Sequence, residues 1–181
     1  MHELIEQAAR DLLRARCRVA LTGAGISVES GIPPFRGPGG LWETLDPEVA
    51  HIETFRRDPA RVWRLLIQGL RSILAEARPN PAHMGLARLE AWGLLQGVIT
   101  QNVDSLHQKG GSRAVVEFHG SFARLRCTRC HRETAVAELV LDPAALPPRC
   151  GCGGVLRPDC VFFGELIPPA ALEQAQRMAA A

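Results

Sequence analysis

Cys127-Thr128-Arg129-Cys130 is followed, 19 residues on, by Cys150-Gly151-Cys152. Two tight cysteine pairs at that separation can set four thiolates tetrahedrally around one zinc ion. Four thiolates close the coordination shell, so such a site folds a segment too small for its own core and leaves no position for catalysis. The second pair has one spacer residue instead of two, which tightens its knuckle without ruling it out. The expectation is a zinc-binding module over residues 124–156, held by Cys127, Cys130, Cys150 and Cys152. Cys17 and Cys160 stand in apolar strand contexts and read as packed thiols.

A length of 181 residues suffices for one domain with a real core plus one small module. Hydrophobic content of 46% and charged content of 22% exclude disorder. No apolar run approaches the roughly 20 residues of a membrane helix. Residues 1–16 mix acids with apolar positions, unlike a signal peptide. Six cysteines without an export signal favour metal over disulfides, and the expected location is the cytoplasm. A net charge of +2 is too weak to argue for nucleic acid by itself. Lys109 is the sole lysine and tyrosine is absent, which reads as genome base composition rather than chemistry.

Along the chain, Leu4, Ile5, Ala8, Ala9, Leu12 and Leu13 share one face of an amphipathic helix. Arg18–Thr22 reads as a short buried strand running into Gly23-Ala24-Gly25-Ile26-Ser27. Strand then Gly-x-Gly is how a dinucleotide fold lets its backbone approach a pyrophosphate. The third glycine of that fingerprint is missing, since Val28 stands there, and a tight structural turn explains the motif nearly as well. Residues 30–42 are rich in Gly and Pro, which forbids a long helix, yet Ile32, Phe35 and Arg36 suit a ligand cover better than a linker. Asp58-Pro59 and Asn80-Pro81 each open a scaffold helix, and His83 in the second reads as structural.

A strand over 94–99 then delivers Thr100, Gln101, Asn102 and Asp104, and Val115–Phe118 delivers His119, with Gly120 turning the chain sharply. Ligands of open α/β sheets sit beyond the carboxyl ends of the strands, so amides, a carboxylate and an imidazole converge on one crevice. Leu156–Glu165 reads as a strand returning to the main sheet, and Pro168-Pro169 starts a helix running to Ala181.

In Gly23–Ser27, Gly31–Gly37, Thr100–His107 (TQNVDSLH), Phe118–Gly120, the cysteine pairs and Arg157–Glu165 (RPDCVFFGE), the chain resembles the sirtuins, NAD-dependent protein deacylases. The resemblance implies an α/β Rossmann-like parallel sheet, incomplete in this chain, with an inserted zinc module and a helical segment. Residues 1–123 would form the first part of the NAD-binding domain, with 37–80 as cofactor loop and helical segment, and 157–181 would return to it. Gly23, Ala24 and Gly25 would face the NAD pyrophosphate, and Phe35 and Arg36 would belong to the cofactor loop. Gln101 and Asn102 would line the nicotinamide-ribose pocket, with Ile32 and Asp104 near the carboxamide. His119 would be the general base, and Asn102 is carried as its catalytic companion. Val161, Phe163 and Gly164 would pair with the backbone of an acyl-lysine peptide. In the implied reaction the acyl oxygen attacks the nicotinamide ribose and nicotinamide leaves; His119 then takes a ribose hydroxyl proton, and water yields free lysine and 2′-O-acyl-ADP-ribose.

Three departures from the family pattern stand out. Pro34 replaces a frequent Asp. Leu66 and Gly69 stand where succinyl- and malonyl-preferring members carry Tyr and Arg, so a neutral acyl group is expected. The family's later strands, which hold the adenosine half of NAD, are not in these 181 residues. The chain therefore reads as a truncated member with weak NAD binding and little or no deacylase activity at this length, whose last helix would cover strands that are absent. Competing readings are a mono-ADP-ribosyltransferase, a non-catalytic NAD or ADP-ribose binder, and a distant zinc-ribbon reader of nucleic acid through Arg124, Arg126, Arg129 and Arg132.

Overall fold

The computed structural model describes residues 2–139 and 142–180, so Met1, two residues inside the cysteine module and the terminal Ala181 lie outside it. Helix α1 (His2–Arg14) leads to β1 (Val19–Thr22), and a single-residue gap separates β1 from a 3₁₀ turn over Ala24–Ser30. A helical segment follows, made of α2 (Ile52–Arg57), α3 (Pro59–Val62) and α4 (Gln68–Glu76), with α5 (Pro81–Ala91) after it. The chain then forms β2 (Gly97–Thr100), α6 (Leu106–Lys109), β3 (Val115–Glu117) and β4 (Gly120–Cys127). It ends through β5 (Glu133–Ala135), β6 (Leu156–Cys160) and α7 (Pro169–Ala180).

Strands β1, β2 and β3 make a parallel sheet in that order, with Thr22 level with Thr100 and Thr100 with Glu117. Crossovers place the three carboxyl ends side by side, as right-handed βαβ connections require. The central strand β2 is buried throughout, which its unbroken Gly-Val-Ile-Thr run permits. The expectation of a buried β1 is corrected. It is an edge strand paired only to β2, and Leu21 is 70% exposed. Helix α1 forms where its periodicity predicts, but none of its residues is buried, so its apolar face lies open.

The helical segment has local reasons for its shape. Asp58 caps the Arg61 N–H at 2.9 Å ahead of Pro59, and the helix widens into a π turn over Trp63–Ile67. Val62, Trp63, Leu66, Ile67 and Leu70 are all buried there, in one core with Leu125, Cys127, Leu156 and Phe162. The Trp63 indole N–H donates to the Leu156 carbonyl at 3.0 Å, tying the segment to the cysteine module.

A second sheet, ordered β5-β4-β6 and antiparallel, corrects the expected return strand. Leu156–Cys160 does not rejoin the main sheet. It pairs with β4 from Cys127 back to Gly120, because Leu156 belongs to the core that Leu125 and Cys127 build. The chain reaches the crevice again at the end of that strand, where Cys160 lines the cleft and the Val161 N–H donates to the His119 carbonyl at 2.9 Å. Helix α7 is likewise corrected. Its Ala175 is buried with Ile99 and Val116 beside Met178 and Phe118, so it covers strands of this chain.

Candidate active site and metal centre

Backbone turns at the strand ends set the crevice. The Phe118 N–H donates to the Thr100 carbonyl at 2.9 Å and the Gln101 N–H to the Thr22 carbonyl at 3.0 Å, so the three strand ends are stapled together. Gly120 has φ +76, and a Cβ there would sit 2.1 Å from the Asp159 carbonyl oxygen. Only glycine lets β4 start directly behind His119.

His119 and the amides face one cleft of about 580 Å³, within the usual range for small-molecule sites. Ala24, Ile32, Phe35, Arg36, Gln101, Asn102, Asp104, His119, Val161, Phe163 and Gly164 all line it. Gly23 and Gly25 flank Ala24 just outside that lining, with Gly23 against the Gln101 side chain. The His119 Nδ1 lies 3.0 Å from the Gln101 carbonyl oxygen. A carbonyl can only accept, so Nδ1 carries the hydrogen and the Nε2 lone pair is left for another proton.

Beneath the cleft is a polar cluster centred on Ser27. Its hydroxyl donates to Asp104 Oδ2 at 2.7 Å and accepts from Asn102 Nδ2 at 3.0 Å. The second Asp104 oxygen accepts from the Leu106 N–H at 2.8 Å. His83 Nδ1 accepts from the Asn80 N–H at 3.3 Å, which leaves its Nε2 hydrogen pointing to Ser27 Oγ, 3.4 Å away. His107 Nε2 meets Thr22 Oγ1 at 2.9 Å, and its ring centroid is 4.8 Å from that of His83. Burial pushes the His107 imidazole down to about 4; His83 nearby adds to this and Asp104 opposes it. Burial also holds His83 below the usual histidine range, again against Asp104. Sequence reasoning took His83 as structural, and it does form a capping box on α5, but it also reaches Ser27. Ser27 and His107 were missed as site residues. The Ser in Gly-x-Gly-Ile-Ser is the one local signal, and nothing local marks a histidine seven residues past the end of β2 as a partner of Thr22.

The cover and the far lip are also in place. Phe35 stacks on Trp42 at 5.4 Å, and Trp42 sits 6.1 Å from Phe163. Arg157 grips Glu165 with two bonds of 2.7 and 2.6 Å and lies over the Phe162 ring at 4.6 Å. Burial pushes the Glu165 carboxyl up, but the Arg157 bonds and the Phe162 N–H outweigh it and hold it below the usual range. The clamp shapes the 161–165 turn. Phe163 spends its backbone internally, donating to the Ala50 carbonyl at 3.0 Å and accepting from the Ile52 N–H at 2.9 Å. Among the described residues, no such bond occupies the Val161 carbonyl or the Gly164 N–H.

The four predicted cysteines converge, all their sulfurs lying within 4.8 Å of one another. Cys127 and Cys152 Sγ are 3.5 Å apart and Cys130 and Cys150 Sγ 3.7 Å. A tetrahedron with Zn–S bonds of about 2.3 Å has edges of about 3.75 Å, so the donor set fits zinc. Disulfide bonds would need about 2.05 Å. The Cys130 and Arg129 N–H groups point at Cys127 Sγ and lower its thiol to about 6 against the effect of burial, toward the thiolate a metal needs.

A parallel sheet with its crevice at the strand ends, an imidazole and amides on that crevice, and a thiolate module beside it define a nucleotide-using α/β enzyme class. The Sir2 family profile matches residues 23–181, and the chain belongs to that family. It is 52% identical over 175 residues to an NAD-dependent protein deacylase of Aeropyrum pernix, covering 96% of this chain and 70% of that one. It is 46% identical to an NAD-dependent protein deacetylase of Saccharolobus solfataricus, covering 90% and 66%. Among solved structures, Sir2 with p53 peptide and NAD⁺ superposes with a TM-score of 0.86 at 39% identity, over 96% of this chain and 70% of that chain. The chain thus spans about seven tenths of the length of these relatives.

Proposed function

We propose that the protein is an NAD-dependent protein-lysine deacylase that releases nicotinamide and free lysine and transfers the acyl group to ADP-ribose. The observation that carries this reading is the His119 imidazole, oriented by the Gln101 carbonyl at 3.0 Å so that Nε2 is the base on the cleft side. His119 takes the proton from a ribose hydroxyl, which frees that oxygen to attack the activated acyl group. Asn102 is held by Ser27 at 3.0 Å and by its own N–H on Thr100 Oγ1 at 3.1 Å, and it orients the nicotinamide ribose. Asp104 and Ile32 meet the carboxamide, Gly23–Gly25 face the pyrophosphate, and Phe35 and Arg36 cover the cofactor. Val161 and Gly164 offer the backbone groups that an extended peptide would add to, while Phe163 contributes its ring.

Leu66, Leu70 and Phe122 give the cleft an apolar floor, and Arg36 on the covering loop is the one cation in its lining. A neutral acyl chain suits such a floor, and excluding water there protects the reacting ribose. Zinc bound by Cys127, Cys130, Cys150 and Cys152 would hold the module together and supply no catalytic chemistry. We place the protein in the cytoplasm. All six cysteines are unbridged, as a reducing compartment favours, and among the described residues no helix is long and apolar enough to cross a membrane.

Mass spectrometry of an acetyl-lysine peptide incubated with NAD tests the reading. Deacetylated peptide with O-acetyl-ADP-ribose is expected. ADP-ribosylated peptide would show a mono-ADP-ribosyltransferase in the same cleft, and NAD binding without any product would show a binder.

A further inference from the structure

Behind the cleft lies a second cavity of about 360 Å³, between the helical segment and the cysteine module. Val103, Asp104 and Phe122 line both spaces, and the Phe122 N–H donating to the Val103 carbonyl at 2.9 Å ties two of them into a common partition. The inner walls are apolar, from Trp63, Ile67 and Leu74 on one side to Leu125 and Val136 on the other. Two cations line it, Arg71 and Lys109, and neither makes an ion pair among the described residues. Arg71 is half-buried and Lys109 is exposed, so the Arg71 stem lies along the apolar wall with its guanidinium free to meet an anion at the mouth. Asp104 is the one acid in the lining, and its carboxylate is taken by Ser27 and the Leu106 N–H at 2.7 and 2.8 Å.

Backbone irregularities frame the same space. The π turn over Trp63–Ile67 contributes two of its wall residues. Ser105, also in the lining, has φ +58 and ψ +21, a left-handed conformation uncommon for a side chain with a Cβ. Such departures persist where surrounding structure holds them, and they gather at functional sites.

We propose that this cavity is a binding site for a small monocarboxylate with an apolar tail, such as a medium-chain fatty acid anion. The tail lies against Trp63, Ile67 and Leu125, and the carboxylate pairs with Arg71, whose planar fork matches it in two bonds, with Lys109 as a second cation. An apolar enclosure with a few convergent polar groups is the usual build of a ligand site, and the charge selects an anion over a neutral chain. Occupancy stands on the cavity alone. Its influence on the cofactor cleft, through Val103, Asp104 and Ser105, rests on the deacylase reading.

Calorimetric titration with octanoate below its micellar range tests the site without requiring turnover. Saturable one-site binding is expected, at least about tenfold weaker for octanamide and for Arg71→Gln, and largely retained in Arg71→Lys. Acetyl-lysine peptide and NAD should not compete, and the backbone amide NMR signals of Ser105 and Leu106 should shift on binding. Absence of saturable binding, or equal affinity for octanamide, overturns the proposal. So does competition by the acetyl-lysine peptide, which would place the octanoate in the front cleft. Should Arg71→Gln fail to fold, the comparison of octanoate with octanamide on the unaltered protein still decides.

Discussion

The Ser27 hydroxyl donates its hydrogen to Asp104 across 2.7 Å, joining the turn after β1 to the loop after β2. Asn102 and His83 both point hydrogens at the same oxygen, so Ser27 uses its donor and both acceptor positions. Residues 75 to 77 positions apart in the chain are thereby fixed relative to one another at the floor of the cofactor cleft.

Removing that hydroxyl should therefore disturb two site residues at once. A hydrogen bond to a charged group contributes about 1.5–3 kcal/mol, and Ser27→Ala should lower kcat/KM for NAD by about 10- to 100-fold. Steady-state kinetics with NAD varied at saturating acetyl peptide give the measurement. An unchanged value would show that Asp104 and Asn102 keep their positions without Ser27.

His119→Ala should remove turnover while leaving NAD binding largely intact, because its role is proton transfer at Nε2. General-base catalysis is worth on the order of 100- to 10,000-fold, and calorimetry on the same variant checks the cofactor affinity. Loss of binding together with turnover would mean that the imidazole mainly holds NAD.

Stability should fall on acidification in a defined window. His107 is held at about 4 in the folded chain against 6.5 for an ordinary histidine, so the unfolded chain binds more protons between these values. The stability gained by burying it neutral is complete above about pH 6.5 and is lost as pH falls toward about 4. The limiting slope is about 1.4 kcal/mol per pH unit for each such group, and His83, shifted the same way, adds to it. Thermal unfolding from pH 7 to pH 4.5 should show the decline, and His107→Gln should flatten it.

Zinc should be found at about one ion per chain, and chelation or Cys127→Ser should unfold more than the module. Cys127, Leu125 and Leu156 belong to the core that holds Trp63 and Ile67, so losing the metal should also expose tryptophan. Elemental analysis of protein purified without chelator, followed by fluorescence during chelation, checks both statements. Protein free of zinc yet fully folded would overturn the assignment.

Acetyl and butyryl peptides should be better substrates than succinyl peptides by about 100-fold or more in kcat/KM. Leu66 is buried in the cleft lining where an acidic acyl group would want a partner, and an unpaired buried carboxylate costs several kcal/mol. A preference for succinyl would point to Arg36, on the covering loop, as the missing cation.

The sequence by itself determined the parts whose physics is local. Four cysteines at metal spacing, apolar runs leading to Asn102, Asp104 and His119, and Asp-Pro and Asn-Pro caps each carry their reason within a few residues; the cysteines converge, the caps open α3 and α5, and the three polar residues line one cleft, although β2 is shorter than its apolar run. The tertiary structure decided which element lies beside which. Leu156–Glu165 reads in sequence as a strand returning to the main sheet, but its Leu156–Cys160 part pairs with β4 because the core around Leu125, Cys127 and Trp63 draws Leu156 in. Leu21 has the look of a core residue and lies open, because burial depends on the neighbours of β1 and not on its own apolar run. Ser27, His83 and His107 meet under the cleft from three separate turns, and no periodicity or spacing encodes that contact. Local propensity acts over one or two turns of chain, whereas packing is settled by which apolar surfaces find each other across it.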